Sequence, residues 1–158
     1  MSLLVTPILF TSTFTWAQDK PTVCSAIEAA ISSKVPEWKL SKPRIIKCQG
    51  FTFYKWSSNQ TEVSTLIFSF HSARDATDSM ADMSFDFEML GMKVRRLEMR
   101  GGGLGDESSV WAGSHESIDD SFVDVVFRKG KLLVHVVAPT FELAKQFAGY
   151  AADAIPAA

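Results

Sequence analysis

Apolar residues recur along the chain with two different periods, which predict helices in some segments and strands in others. Steps of three and four predict three helices: one between Pro21 and Pro36, one from Ser72 to Gly91, and one starting near Thr140. The spacing places a single apolar stripe on the middle helix, formed by Ala73, Ala76, Met80, Met83, Phe87 and Leu90. Ser72 is its expected N-cap residue.

Alternation with a period of two predicts two β-hairpins. The first joins residues 51–56 to residues 62–70 through the polar stretch 57–60, and we expect Leu66, Phe68 and Phe70 to lie on the core face. The second joins residues 122–128 to residues 131–137 through a turn at Lys129-Gly130. Residues 93–99 form a further strand.

The turn at Lys129-Gly130 fixes a register in which Val125 faces Val134 and Asp124 faces His135. Hairpins outnumber crossover connections, so the predicted fold is α+β: a single, largely antiparallel sheet of two hairpins and one or two further strands, with three helices packed on it.

The first seventeen residues contain no Asp, Glu, Lys, Arg or His, and charged residues begin at Asp19. The segment is short for a transmembrane helix and is typical of a signal peptide. We therefore expect residues 1–17 to be removed after Ala17, leaving a soluble single domain of residues 18–158 that is secreted or periplasmic and has no membrane span. Retention of the segment as an anchor, or a different start codon, is the alternative.

In an oxidising compartment, Cys24 and Cys48 are predicted to form one disulfide. Closing a loop of 24 positions stabilises a domain by about 3 kcal/mol in the chain-entropy model. The alternative, a catalytic thiol, lacks a Cys-x-x-Cys motif and lacks a histidine close in sequence.

The chain has 16 Lys and Arg against 18 Asp and Glu, a net charge of −2, so it lacks the overall basic character that drives nucleic-acid binding. The three histidines show no metal-ligand spacing, and we expect no metal and no cofactor. Asn59-Gln60-Thr61 is a glycosylation sequon in the first hairpin loop and matters only in a host that glycosylates.

Residues 101–105 are rich in glycine, but the acidic residues that follow do not suit a phosphate cradle, so we expect a turn. We interpret residues 106–120 as an acidic, aromatic loop. Loops on a rigid scaffold often carry binding residues, and the candidates here are Asp106, Glu107, Trp111 and His115. The alternative is a solvated loop with a buried Trp111.

Asp124 and His135 form a candidate catalytic pair. They could serve as the orienting carboxylate and the base of a hydrolase, with Ser108, Ser109 or Ser114 as the nucleophile. The chain has no Gly-x-Ser-x-Gly motif. The alternative is an ordinary cross-strand pair.

Two segments carry a resemblance to a known family: residues 103–108, of sequence Gly-Leu-Gly-Asp-Glu-Ser, and residues 126–130, of sequence Val-Phe-Arg-Lys-Gly. With the strand and helix that follow, residues 92–155 resemble secreted bacterial α+β domains of the PsbP-like type, including related extracellular sensor domains and small lipoproteins. The resemblance implies an antiparallel sheet flanked by helices and a non-catalytic, accessory or ligand-sensing role. The chain departs from it in having no lipobox cysteine and no attached kinase.

We therefore expect an exported, non-enzymatic domain that binds a small apolar ligand or an envelope or extracellular protein. The alternatives are a small secreted hydrolase using His135 and Asp124, and a secreted effector or inhibitor.

Overall fold

A computed structural model describes residues 20–41, 44–46, 51–83, 87–88, 92–115 and 118–156. Within these residues the helices are α1 Lys20–Lys34, α2 Ala73–Ala81 and α3 Phe141–Ala154. The strands are β1 Lys39–Leu40, β2 Arg44–Ile46, β3 Phe51–Ser58, β4 Thr61–Ser69, β5 Met92–Leu97, β6 Glu107–His115, β7 Ile118–Lys129 and β8 Leu132–Ala138. The predicted α+β class is confirmed, and the expected signal peptide lies outside the described residues.

All described strands belong to one antiparallel sheet in the order β1-β3-β4-β8-β7-β6-β5, with β2 also paired to β3. Both predicted hairpins form. The β3–β4 hairpin closes at Asn59 and Gln60, which both have positive φ, as a type I′ turn requires.

Helices α1 and α3 cover one side of the sheet, which we call the α3 face. Trp56 is the largest fully buried side chain of the described residues and packs edge-on against Phe147 of α3 at a ring-centroid distance of 5.9 Å. Strand residues pointing to this face include Val63, Ile67, Val125, Phe127, Val134 and Val136. Burial of these side chains is the main source of the domain's stability.

Helix α2 covers part of the opposite side, which we call the α2 face. Met80, Met83 and Phe87 form a smaller apolar cluster with Val126 and Leu133 of the sheet. Of the predicted stripe, Ala76 and Met80 are buried on α2, and Met83 and Phe87 are buried beyond its last residue, Ala81. Ala73 is exposed, and Leu90 lies outside the described residues.

The N-terminus of α2 has the predicted cap. The Ser72 hydroxyl accepts from the Asp75 backbone N–H, and the Asp75 carboxylate accepts from the Ser72 backbone N–H, both at 3.1 Å. This reciprocal pair is a capping box.

The assignment of Leu66, Phe68 and Phe70 to the main core face is wrong. On β4 it is Val63 and Ile67 that point into the large core, while Phe68 and Phe70 pack half-buried against the α2 cluster. Both faces of this strand carry apolar residues because helices lie on both sides of the sheet.

The predicted register of the second hairpin is wrong by two residues. Val125 pairs with Val136 and Asp124 with Val137, and the two-residue turn is Gly130-Lys131. Gly130 has φ +59° at the first central turn position, where a type II′ turn needs glycine. A shift of two residues leaves every side chain on its predicted face.

Candidate functional site

Asp124 and His135 remain on the same face of the sheet and meet across the β7–β8 ladder. Asp124 pairs directly with Val137, so His135 is its diagonal neighbour. The Asp124 Oδ2 atom lies 2.8 Å from His135 Nδ1. A carboxylate only accepts hydrogen bonds, so the imidazole donates through Nδ1 and its Nε2 faces away from the pair.

The two partners differ in exposure. The Asp124 side chain is 2% exposed and that of His135 is 16% exposed. The second carboxylate oxygen of Asp124, Oδ1, is buried and has no hydrogen-bond partner among the described residues. The Phe68 ring lies 5.4 Å from the imidazole, centroid to centroid, so the pair sits in largely apolar surroundings.

The predicted nucleophiles are not brought to His135. Ser108 and Ser114 alternate onto the α3 face, on the opposite side of the sheet from the imidazole. Ser109 shares the α2 face, but its hydroxyl accepts from Trp111 Nε1 at 3.0 Å.

Ser109 also stands too far from the imidazole to form a triad. It pairs with Val126, and Val126 pairs with His135, so the two residues lie two strands apart. Their backbones are therefore roughly 10 Å apart, beyond hydrogen-bond reach for these short side chains. None of the three candidate serines, Ser108, Ser109 and Ser114, therefore lies next to the Asp124–His135 pair.

The predicted loop over residues 106–120 is wrong. Residues 107–115 form β6, which pairs with both β5 and β7, and residues 118–120 already belong to β7. Of the four candidate binding residues, Asp106 and Glu107 contact Arg128 beside the β7–β8 turn, while Trp111 lies on the α2 face. His115 pairs through its backbone with Met92 and Ile118, at an irregularity of the ladder.

Trp111 is half-buried on the α2 face. Its ring lies 5.6 Å from that of Phe87, centroid to centroid, and the Arg96 guanidinium stacks at 5.9 Å from its ring centre. Packing against the core accounts for the position of this side chain.

Asp106 and Glu107 both contact Arg128, and a binding role for them stays a prediction. Asp106 Oδ2 accepts from Arg128 Nη1 at 2.9 Å and from the Gly130 backbone N–H at 2.7 Å, while Glu107 Oε2 lies 3.5 Å from Arg128 Nε. The Asp106 backbone N–H donates to the Arg128 carbonyl at 2.8 Å. These contacts hold the β7–β8 turn against the start of β6.

Gly105 allows the close approach of the Asp106 backbone to the Arg128 carbonyl. Its φ is +61°, and a Cβ at this position would lie 2.3 Å from the Arg128 carbonyl oxygen. The glycine-rich segment is therefore a turn, as predicted, and its last glycine lets two backbones approach closely.

An open groove that sequence analysis missed lies on the α3 face, beyond the N-terminus of α3. Its volume is about 500 Å³, within the range of roughly 300–1,000 Å³ typical of ligand sites. The lining residues are Lys93, Val94, Arg95, Ala112, Gly113, Ser114, Ser121, Phe122, Val123 and Pro139. We call it the β5–β7 groove.

Small residues leave the floor of this groove open. Ala112, Gly113 and Ser114 follow one another on β6, and Ser121 lies opposite Ser114 on β7. A Cβ on Gly113 would stand 2.6 Å from the Lys93 carbonyl oxygen, so glycine also allows β5 to pack closely there. A run of three small residues next to a basic strand is the signal that could have indicated this groove.

A second open groove, of about 300 Å³, lies toward the other edge of the sheet. It is lined by Glu37, Lys39, Ser57, Ser58, Asn59 and Gln60. The sequon residue Asn59 is exposed at this hairpin turn, and glycosylation there stays a prediction.

Cys24 lies in the main core, on α1. Cys48 falls outside the described residues, so the predicted Cys24–Cys48 disulfide stays a prediction. The nearby Tyr54 is buried, and this burial raises the pKa of its hydroxyl, with smaller contributions from Cys24 and Glu28.

The described residues contain no group of three or more His, Cys, Asp or Glu side chains placed to hold a metal ion. None of the helices in the described ranges is long and apolar enough to cross a membrane. In comparisons with known proteins, the chain matches no family model and shows no significant similarity to a curated protein or to a solved structure.

Proposed function

We propose that this chain is a non-enzymatic binding domain and that its partner, a protein, binds in the β5–β7 groove. The observation that carries this proposal is the groove itself. Its floor of small residues lies beyond the part of the sheet that α3 covers, and its rim carries the exposed Arg95. An open, partly charged groove suits an extended protein segment better than the small apolar ligand expected from sequence, which needs a concave apolar pocket.

A display selection of random linear peptides on the immobilised protein tests this proposal. We expect the selected peptides to bind the wild type and to lose binding to Ser121→Trp, which fills the groove at an exposed position. Ser57→Trp, in the second groove, is the matched control and should bind normally. The proposal is overturned if no peptide is enriched, or if Ser57→Trp impairs binding and Ser121→Trp does not.

We also propose that the domain is exported. The uncharged segment 1–17 supports this proposal. The resemblance of residues 92–155 to PsbP-like domains implies the same location and a non-catalytic role. The mass of the protein isolated from its own host tests export directly, since cleavage after Ala17 removes the first seventeen residues.

Hydrolysis is the second candidate function, and the 2.8 Å contact between Asp124 and His135 is the observation that favours it. None of Ser108, Ser109 and Ser114 is adjacent, so this candidate function takes water as the nucleophile, with His135 Nε2 as its base. A panel of chromogenic esters, tested on wild type and His135→Ala, decides the matter. Turnover that depends on His135 would replace the binding proposal, and equal background rates would reject hydrolysis of these esters.

A further inference from the structure

Strand β5 is the last strand of the sheet on the side of the groove. Among the described residues β5 pairs only with β6, and no other described strand lies along its outer edge. Such an edge is a template on which an extended peptide can add a strand.

The edge is strongly basic. Lys93, Arg95 and Arg96 lie among the six residues of β5, Met92–Leu97, which include no acidic residue, although the whole chain has a net charge of −2. Arg95 is exposed on the groove side of β5. Arg96 points to the α2 face, over the Trp111 ring. An incoming strand therefore meets positive charge on both faces.

This charge pattern opposes pairing of β5 with a second copy of itself. In antiparallel registers centred on β5, a basic residue faces a basic residue: Arg95 faces Arg95 in one, Lys93 faces Arg95 in the next, and Lys93 faces Arg96 in a third. Like charges directly opposite each other destabilise a strand pair. Lysine and arginine on edge strands commonly prevent such self-association.

We propose that the edge of β5 accepts an extended acidic segment of a partner protein as an additional antiparallel strand. The inference rests on the proposed function, because the added strand would lie along the rim of the β5–β7 groove. Main-chain hydrogen bonds to β5 would supply affinity, and carboxylates on the groove side would pair with Arg95. Apolar residues alternating with them would lie on the α2 face, beside Val94.

The test uses fluorescent peptides of about ten residues and fluorescence anisotropy. The first peptide alternates Glu and Val, the second alternates Lys and Val, and the third is the Glu-Val peptide with its central amides N-methylated. N-methylation removes the backbone donors and keeps the charge, so it separates strand addition from simple ionic attraction. We expect only the first peptide to bind.

Two charge-reversal variants locate the binding. Arg95→Glu should weaken the affinity for the Glu-Val peptide by about tenfold or more, since it replaces attraction by repulsion at the rim. Arg74→Glu makes the same charge change on α2, where Arg74 is highly exposed, and should leave binding unchanged. Amide hydrogen exchange should slow in β5 when the peptide is bound.

The outcomes separate this inference from the proposed function. Equal binding of the N-methylated peptide, or no binding of the Glu-Val peptide, overturns strand addition. If the display selection then returns peptides that lack acidic residues and lose binding to Ser121→Trp, the proposed function stands and the proposal of an added acidic strand is wrong. If neither experiment gives groove-dependent binding, both are wrong.

Discussion

His135 Nδ1 lies 2.8 Å from Asp124 Oδ2, although the two residues are diagonal and not directly opposite neighbours on β7 and β8. A direct pair was expected from the sequence, and the register shift of two residues turned it into a diagonal one. The contact survives because both side chains stay on the α2 face and diagonal neighbours in an antiparallel ladder remain within reach of each other.

The Asp124–His135 contact predicts a coupling energy measurable by a double-mutant cycle. Asp124→Ala should destabilise the domain by about 1–3 kcal/mol, because it leaves a largely buried imidazole N–H without its acceptor. With His135→Ala and the double variant, urea unfolding should give a coupling of about 0.5–3 kcal/mol. Asp124→Asn, which keeps an acceptor oxygen, should restore part of the loss. Additive effects of the two alanine substitutions would contradict a stabilising contact.

Asp106 and Glu107 both contact Arg128, and the structure predicts very different costs for removing them. Asp106→Ala removes the acceptor of both the Arg128 guanidinium and the Gly130 N–H, and should cost about 1–3 kcal/mol of unfolding free energy. Glu107→Ala removes only a longer, half-exposed ion pair and should cost about 0–1 kcal/mol. Chemical denaturation measures both. Equal costs would mean that the turn is not held by Asp106.

Gly105 and Gly149 form a matched pair for testing the close approach of the glycine turn. Gly105→Ala should destabilise the domain by about 2 kcal/mol or more, since its positive φ and the Arg128 carbonyl at 2.3 Å leave no room for Cβ. Gly149→Ala, within α3, meets nothing within 4 Å and should stabilise by about 0.5–1 kcal/mol. Thermal and urea unfolding of the two variants should therefore shift in opposite directions.

The elements that sequence analysis predicted correctly are those whose local pattern agrees with their packing. Ser72 and Asp75 cap α2 as a capping box, and the polar turn at Asn59-Gln60 closes the first hairpin. In both cases neighbouring residues decide the structure. Local chemistry of this kind can be read from a sequence without knowledge of the fold.

The prediction of the second hairpin turn failed because two contacts with residues distant in sequence decide the register. Lys129 stays in β7, where its ammonium group donates to the Ala152 carbonyl at 3.0 Å and so binds the C-terminal end of α3. The Gly130 N–H donates to the carboxylate of Asp106, which directly precedes β6. Neither partner is visible from the alternation of the hairpin.

Strand β6 was missed because its small and polar residues hide the alternation. Ser108, Gly113 and Ser114 suggest a loop, yet pairing with β5 on one side and β7 on the other makes this segment an interior strand. Gly113 and Ser114 also line the β5–β7 groove, so the strand and the candidate site were missed for one reason. Tertiary context overrides local propensity in such strands.

Tyr54 predicts a loss of stability at high pH. Burial raises the pKa of its hydroxyl above the ordinary value of 10.0, so above about pH 10 the unfolded chain loses a proton that the folded domain retains. The contribution to stability is therefore fully present below about pH 10 and is lost as the pH rises toward the pKa of the folded state. At about pH 11 the loss is on the order of 1 kcal/mol. Urea unfolding between about pH 9 and pH 11 should show this decline in the wild type and a smaller one in Tyr54→Phe. Parallel profiles would show that Tyr54 ionises equally in both states.

The Cys24–Cys48 pairing and the removal of residues 1–17 are decided together by intact mass measured with and without reductant. Cys24 lies in the core on α1, so a bond to Cys48 would tie this helix to the segment before β3 and stabilise the domain by about 3 kcal/mol. We expect a chain that starts at Gln18 and gains about 2 Da on reduction, and we expect reductant to lower its unfolding temperature. Cys48→Ser should abolish both effects of the reductant. A full-length chain with two free thiols would contradict export, because an oxidising compartment is the only reason that the sequence gives for the pairing.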